Sequence, residues 1–212
     1  MRLFANRSEA GWALGEVLAE RGFSDSVVLG IPRGGVVVAA AVAEALGAPL
    51  DVVVPRKIGA PHNPELGLGA VAEGVEFVDE DMVRRAGASP EYLAGEIAAQ
   101  RSEVARRAQV YRGDRASAEI AGRQVIVVDD GIATGGTAIA SLRWARARGA
   151  EWVILAVPVM PAGMRARLEA EADQVIALAE PDSFYAVGQF YIDFRQTSDD
   201  EVVRLLSAAA TG

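Results

Sequence analysis

The run Val125-Ile126-Val127-Val128-Asp129-Asp130-Gly131-Ile132-Ala133-Thr134-Gly135-Gly136-Thr137 constrains this chain more than any other segment. Four β-branched residues in succession read as a strand buried on both faces, the pattern of a parallel sheet covered by helices. Two carboxylates stand at its C-terminal end, where open α/β sheets bind ligands. Gly131, Gly135 and Gly136 let the backbone turn sharply and approach something closely. Thr134 and Thr137 add hydroxyl donors. A helix begins near Gly136 with Ile139, Leu142 and Ala145 along one face, and free amides at its start form an anion site.

The loop and the carboxylates call for different partners. The loop suits a phosphate. The carboxylates repel one and need donors, either sugar hydroxyls or a metal. A ribose 5-phosphate unit meets both needs, with its diol on Asp129 and Asp130 and its phosphate in the loop. A generic Rossmann-like turn with surface acids explains the glycines, but not the paired acids or the two threonines. A receiver-like or phosphatase-like Mg²⁺ site needs more carboxylates at other strand ends, and Asp51 is the one nearby candidate.

The run resembles the 5-phosphoribosyl-1-pyrophosphate (PRPP) motif of the type I phosphoribosyltransferases: four apolar residues, two acids, then a loop of small residues, Thr, Ser and Gly. Gly131 departs from it, since many members carry an apolar residue there. The resemblance implies an α/β fold with a central, mainly parallel sheet flanked by helices and a helical hood. It implies a core over about 24–78 and 123–180. The hood would lie near 79–122, with contributions from 1–23, 181–212 or both. It further implies that Asp129 and Asp130 hold the ribose near the reacting carbon. Gly131, Ile132, Ala133, Thr134, Gly135, Gly136 and Thr137 would hold the 5-phosphate.

The rest of the chain reads as alternating helices and strands. Asn6 and Glu9 form a capping-box pattern that opens a helix to residue 21, with Trp12, Leu14, Val17 and Leu18 on its apolar side. Residues 26–31 and 51–54 read as strands, with a helix over 36–46 between them. Residues 56–66 contain Gly, Pro, His and Asn without an apolar period and read as a loop. Residues 68–78 hold short β-like pieces split by Gly74. Ser89-Pro90-Glu91 caps a long helix to about residue 111. Strands at 152–157 and 174–178, a helix at 162–172, an aromatic segment at 184–194 and a last helix from about 198 follow.

Two further segments carry chemistry. Pro32-Arg33-Gly34-Gly35 follows the first strand. Its glycines can turn amides toward an anion that Arg33 grips, and the resemblance assigns Arg33, Gly34 and Gly35 to pyrophosphate. The chain has twenty arginines and one lysine, Lys57. Arg therefore serves as the ordinary cation, and Lys57 marks a place that needs a compact ammonium. Arg56, Lys57 and His62 match three positions of the mobile loop of orotate phosphoribosyltransferases, although Ala60 replaces a second Lys. The resemblance assigns Arg56 and Lys57 to pyrophosphate, with Lys57 catalytic, and His62 to the loop. Phe184 resembles the aromatic that stacks on the base in 6-oxopurine phosphoribosyltransferases.

Composition narrows the classes. A net charge of -8 argues against non-specific nucleic-acid binding. No apolar stretch reaches the ~20 residues of a membrane span. The N-terminal residues lack the apolar core of a signal peptide, and the chain has no cysteine, so a cytoplasmic location is expected. The resemblance implies a homodimeric transferase in nucleotide salvage. It would take PRPP, Mg²⁺ held mainly through PRPP, and a purine, pyrimidine or orotate-like base. A PRPP-binding regulator without catalysis is the alternative from another class. A PRPP synthase shares the acidic motif but usually needs a longer, two-domain chain.

Overall fold

The computed structural model describes residues 3–23 and 25–209. Met1, Arg2, Ser24 and residues 210–212 lie outside the described residues. With them lie the outermost ends of the hood assigned to 1–23 and 181–212 and the first residue of the core assigned from 24. In chain order the first elements are α1 (Arg7–Glu20), β1 (Ser26–Gly30), α2 (Gly34–Leu46), β2 (Leu50–Val52), β3 (Arg56–Ala60), β4 (Asn63–Ala72) and β5 (Val75–Val78). There follow α3 (Glu80–Ala86), α4 (Pro90–Arg112), β6 (Gln124–Val128), α5 (Gly136–Ala147), β7 (Trp152–Val159), α6 (Arg165–Glu169), β8 (Gln174–Ala179) and α7 (Asp199–Ala209).

Five strands form a parallel sheet in the order β2-β1-β6-β7-β8. Side chains alternate between its faces. Leu29, Val127 and Leu155 pack with Ile139, Leu142 and Trp144 of α5 on one side. Val28, Ile126 and Ile154 pack with Leu14 and Leu18 of α1 and Val38 and Val42 of α2 on the other. Burial on both faces is why the β6 run shows no polar alternation.

Helix α1 meets α2 through small residues. A Cβ on Gly11 would lie 2.6 Å from the Val38 carbonyl, and one on Gly15 would lie 2.6 Å from Ala45 Cβ. This corrects the expected apolar side: Ala10, Gly11, Leu14, Gly15 and Leu18 are buried, whereas Trp12 is exposed. The cap also differs in detail. Asn6 Oδ1 accepts the Glu9 amide at 2.9 Å, but the Glu9 carboxylate takes the Ala5 amide.

Residues 56–66, expected as a loop, form the hairpin of β3 and β4, with Pro61 and His62 at its turn. Register shifts around Gly59 break the period of two that would have revealed it. With β5 the hairpin makes a separate antiparallel sheet. Ile58, Ala60, Leu68 and Val71 of this sheet share a cluster with Val104, Leu93 and Ile97 of α4 and Met82 of α3. Residues 56–78 therefore form a separate layer, packed on α3 and α4 on one side and through Ala72, Val75 and Phe77 on the α5 side of the core on the other, rather than widening the parallel sheet. The helix expected over 162–172 is a 3₁₀ turn at Ala162–Met164 followed by the short α6. Among the described residues no helix is long and apolar enough to cross a membrane.

Candidate active site

Strand β6 ends at Val128 and delivers Asp129 and Asp130 against the first turn of α2. That contact exists because positions 34 and 35 are glycines. A Cβ on Gly34 would overlap Asp130 Oδ2 and sit 2.6 Å from Arg7 Nε. One on Gly35 would lie 2.8 Å from Asp129 Cα and 2.9 Å from the Val128 carbonyl. The two glycine-bearing turns predicted from sequence are thus brought together around the acids, and the start of α2 lends its positive end to them.

Arg7 and Tyr191 complete this cluster, and sequence reasoning does not single them out. Arg7 Nε donates to Asp130 Oδ2 at 2.7 Å. The Tyr191 hydroxyl donates to the Asp130 carbonyl at 2.6 Å. One signal existed: a cation in the first turn of a helix opposes the helix dipole and needs another reason to be there. Burial, then the charge of Asp130, pushes the Asp129 carboxyl well above its ordinary value. Burial also raises Asp130, against the opposing pull of Arg7.

The loop after the acids divides into an anchored and an open half. Ile132 is buried and its amide donates to the Val159 carbonyl at 2.9 Å. Ile132 thus anchors the loop, and its amide is not offered to a phosphate as expected. A Cβ on Gly131 would come within 2.6 Å of Val187 Cγ1, so Val187 fills the space a side chain at position 131 would need. Gly135, at φ 78°, starts α5 without a side-chain cap, and Ala133 and Thr134 are exposed. The first amides of α5 therefore face an open site. A cleft of about 190 Å³ borders it, lined by Thr134, Gly136, Thr137, Lys57, Asp79 and Arg167 among others. Lys57 from the hairpin thus lies on the same side as Thr134 and Thr137. Arg167 of α6 joins it, held 3.1 Å from Asp79.

A family profile described as a phosphoribosyl transferase domain matches residues 9–195. The chain belongs to this family. Proteins from two strains of Mycobacterium tuberculosis, H37Rv and CDC 1551, each provisionally described as a phosphoribosyl transferase, are 48% identical over 210 residues. The match covers 99% of this chain and 47% of theirs, so the chain spans about half the length of the curated relatives it matches. The crystal structure of TT1426 from Thermus thermophilus superposes with a TM-score of 0.83 at 46% identity, covering 97% of this chain and 98% of that one.

Not every residue assigned from the phosphoribosyltransferase resemblance reaches the cleft. Arg56 Nε donates to Gln100 Oε1 of α4 at 3.0 Å and binds the hairpin to the hood. Burial, then the nearby Arg107, lowers its pKa. His62 is exposed at the hairpin turn. Phe184 packs its ring 5.1 Å from that of Phe190, beside the cluster of Ala10, Val159 and Tyr191. Arg33 stands at the start of α2, after a cis peptide with Pro32, and lies 3.9 Å from Asp199. Asp51 is buried against Arg112 and does not join Asp129 and Asp130, which removes the receiver-like alternative. Among the described residues no group of three or more His, Cys, Asp or Glu side chains could hold a metal. Asp129 and Asp130 fit Mg²⁺ only as an ion carried largely by a ligand's own oxygens.

Proposed function

We propose that the protein transfers a 5-phosphoribosyl group from PRPP to a nitrogenous base and releases pyrophosphate. The observation that carries this reading is the packing of Gly34 and Gly35 onto Asp129 and Asp130, beside the uncapped start of α5. Two anion-accepting turns then flank one pair of acids. That arrangement suits a ligand with a phosphate at one end, a diol in the middle and a pyrophosphate at the other.

Transfer at the anomeric carbon passes through an oxocarbenium-like state, so positive charge grows on the ribose and negative charge on the leaving group. No enzyme nucleophile is needed; the protein orients the partners and stabilises charge. Asp129 and Asp130 accept the ribose hydroxyls and face the growing positive charge. Thr134, Gly135, Gly136 and Thr137 hold the 5-phosphate. Gly34, Gly35 and Arg33 receive the pyrophosphate, for which Arg33 must leave its loose pairing with Asp199. Lys57 neutralises donor phosphate from across the cleft. Bound Mg²⁺ would add charge neutralisation at the pyrophosphate.

The test is pyrophosphate release from Mg-PRPP against a panel of purines, pyrimidines and orotate. Release that depends on one class of base is expected. PRPP binding without release against any acceptor would instead mark a regulator, and no binding at all would defeat the reading. Sedimentation of the same sample checks the homodimer that the family resemblance implies.

A further inference from the structure

A cation that serves a pyrophosphate has rivals for its charge inside the protein. Arg33 ends the turn before α2, and a rival faces it from α7: its Nη1 lies 3.9 Å from Asp199 Oδ1. Acids commonly stand at a helix start to cap it or to meet its positive end. Helix α7 does not need Asp199 for either. Ser198 caps it, with Oγ accepting the Glu201 amide at 3.1 Å, and Asp200 and Glu201 bring negative charge to the first turn.

Asp199 Oδ1 is instead shared between two other elements. The Tyr111 hydroxyl of α4 donates to it at 2.8 Å, and Arg33 at the start of α2 approaches the same oxygen. One apolar cluster sets this meeting, in which Tyr111 is buried with Val36 and Val202. Val36 stands three residues after Arg33, and Val202 three after Asp199. Each therefore lies on the same side of its helix as the polar residue one turn before it. The ion pair is weak by distance and by exposure, with the two side chains 33% and 45% exposed. The Tyr111 hydroxyl also fills one of the roughly two acceptor sites on that oxygen. Arg33 is thus held without being locked.

We infer that Asp199 competes with the ligand's pyrophosphate for Arg33, and that Tyr111, by occupying the same oxygen, keeps this competition weak enough for the ligand to win. The inference rests on the phosphoribosyl-transfer reading and concerns only its pyrophosphate end. Each pyrophosphate that binds must take Arg33 from a carboxylate, and Asp199 takes it back when pyrophosphate leaves. The pair therefore limits affinity for the donor and for the released product alike. A ligand without a pyrophosphate escapes it.

The experiment is calorimetric titration of Mg-pyrophosphate and Mg-PRPP into wild type, Asp199→Asn, Tyr111→Phe and Arg33→Ala. Ribose 5-phosphate serves as the ligand that carries no group for Arg33. An amide keeps the shape and can still accept the Tyr111 hydroxyl, so Asp199→Asn removes the charge alone. It should bind both pyrophosphate-bearing ligands about two- to fivefold tighter, the size of a partly exposed ion pair. Its affinity for ribose 5-phosphate should not change. Tyr111→Phe should move the other way, to about twofold weaker binding, because the freed oxygen holds Arg33 more fully. The gain from Asp199→Asn should disappear when Arg33 is already alanine. No gain, an equal gain for ribose 5-phosphate, or a gain that survives Arg33→Ala overturns the inference and leaves the reading intact. Unchanged or tighter binding by Tyr111→Phe overturns it as well. A wild type that binds no Mg-PRPP overturns the reading itself. Circular dichroism checks the folds. If Tyr111→Phe does not fold, Asp199→Asn with and without Arg33 decides the inference; if Asp199→Asn does not fold, Asp199 is a structural residue and the inference fails.

Discussion

Burial and the neighbouring charge of Asp130 raise the Asp129 carboxyl above its ordinary value, so folding takes up a proton wherever the unfolded group is ionised. The sign follows directly. Asp129 costs no stability below its unfolded pKa of about 3.9, and the penalty grows as pH rises through the higher folded value. At neutral pH Asp129 opposes folding, and its worth must lie in what it binds. An amide keeps the shape, and its oxygen can still accept the Asp130 amide, a contact of 2.8 Å in the native protein. Asp129→Asn should therefore melt no lower than wild type at about pH 7.5 and show a shallower decline as pH rises above about 4. Its affinity for Mg-PRPP should fall by about tenfold or more, the loss of roughly one charge-assisted hydrogen bond. Differential scanning fluorimetry and calorimetry measure the two effects, and a lower melting point at pH 7.5 would refute the assignment.

At the scale of elements, the cleft is closed by a contact between α6 and the start of α3. Asp79 caps α3 by accepting the Met82 amide at 3.1 Å, and its other oxygen takes Arg167. Arg167 is 44% exposed, so this pair is worth only about 0–1 kcal/mol to the fold. Beside Thr134 and Thr137, however, the same cation is placed to meet a phosphate. Arg167→Ala should raise the KM for PRPP several-fold with the melting point nearly unchanged, and steady-state kinetics with thermal melts test it. A large stability loss with an unchanged KM would make Arg167 a strut. The elements also show what a sequence can disclose. β6, its loop and α5 are legible because a strand buried on both faces and a glycine start to a helix leave contiguous patterns. The β3–β4 hairpin is not, because Gly59, Gly67, Gly69 and two register shifts erase its alternation. The inward face of α1 is misread because hydrophobicity points to Trp12, whereas close packing selects Gly11 and Gly15. Asp129 and Asp130 stand in one readable run. Arg7 lies 123 residues from Asp130, and only folding makes them partners.

At the scale of the whole molecule, α7 ties α4 to α2 and the edge of the parallel sheet, beside the contact that β4 and β5 make with the α5 side of the core. Val202 and Leu206 share a cluster with Val36 of α2, Val52 and Val54 at the edge of the parallel sheet, and Ala108 and Tyr111 of α4. The Tyr111 hydroxyl donates to Asp199 at 2.8 Å, and burial together with that bond pushes its pKa up to about 12. Arg115 adds a bond from the end of the hood to the Leu206 carbonyl at 2.6 Å. Leu206 is fully buried, so Leu206→Ala should cost about 2–5 kcal/mol. Because the lost contacts reach both parts, the cost should be shared. Urea unfolding should shift as a single transition with an unchanged slope, and amide exchange should speed up in α2 and α4 together. A biphasic curve in which α4 exchanges early while α2 keeps its protection would show that the hood is held by its own sheet instead. In that case α7 would serve the core alone.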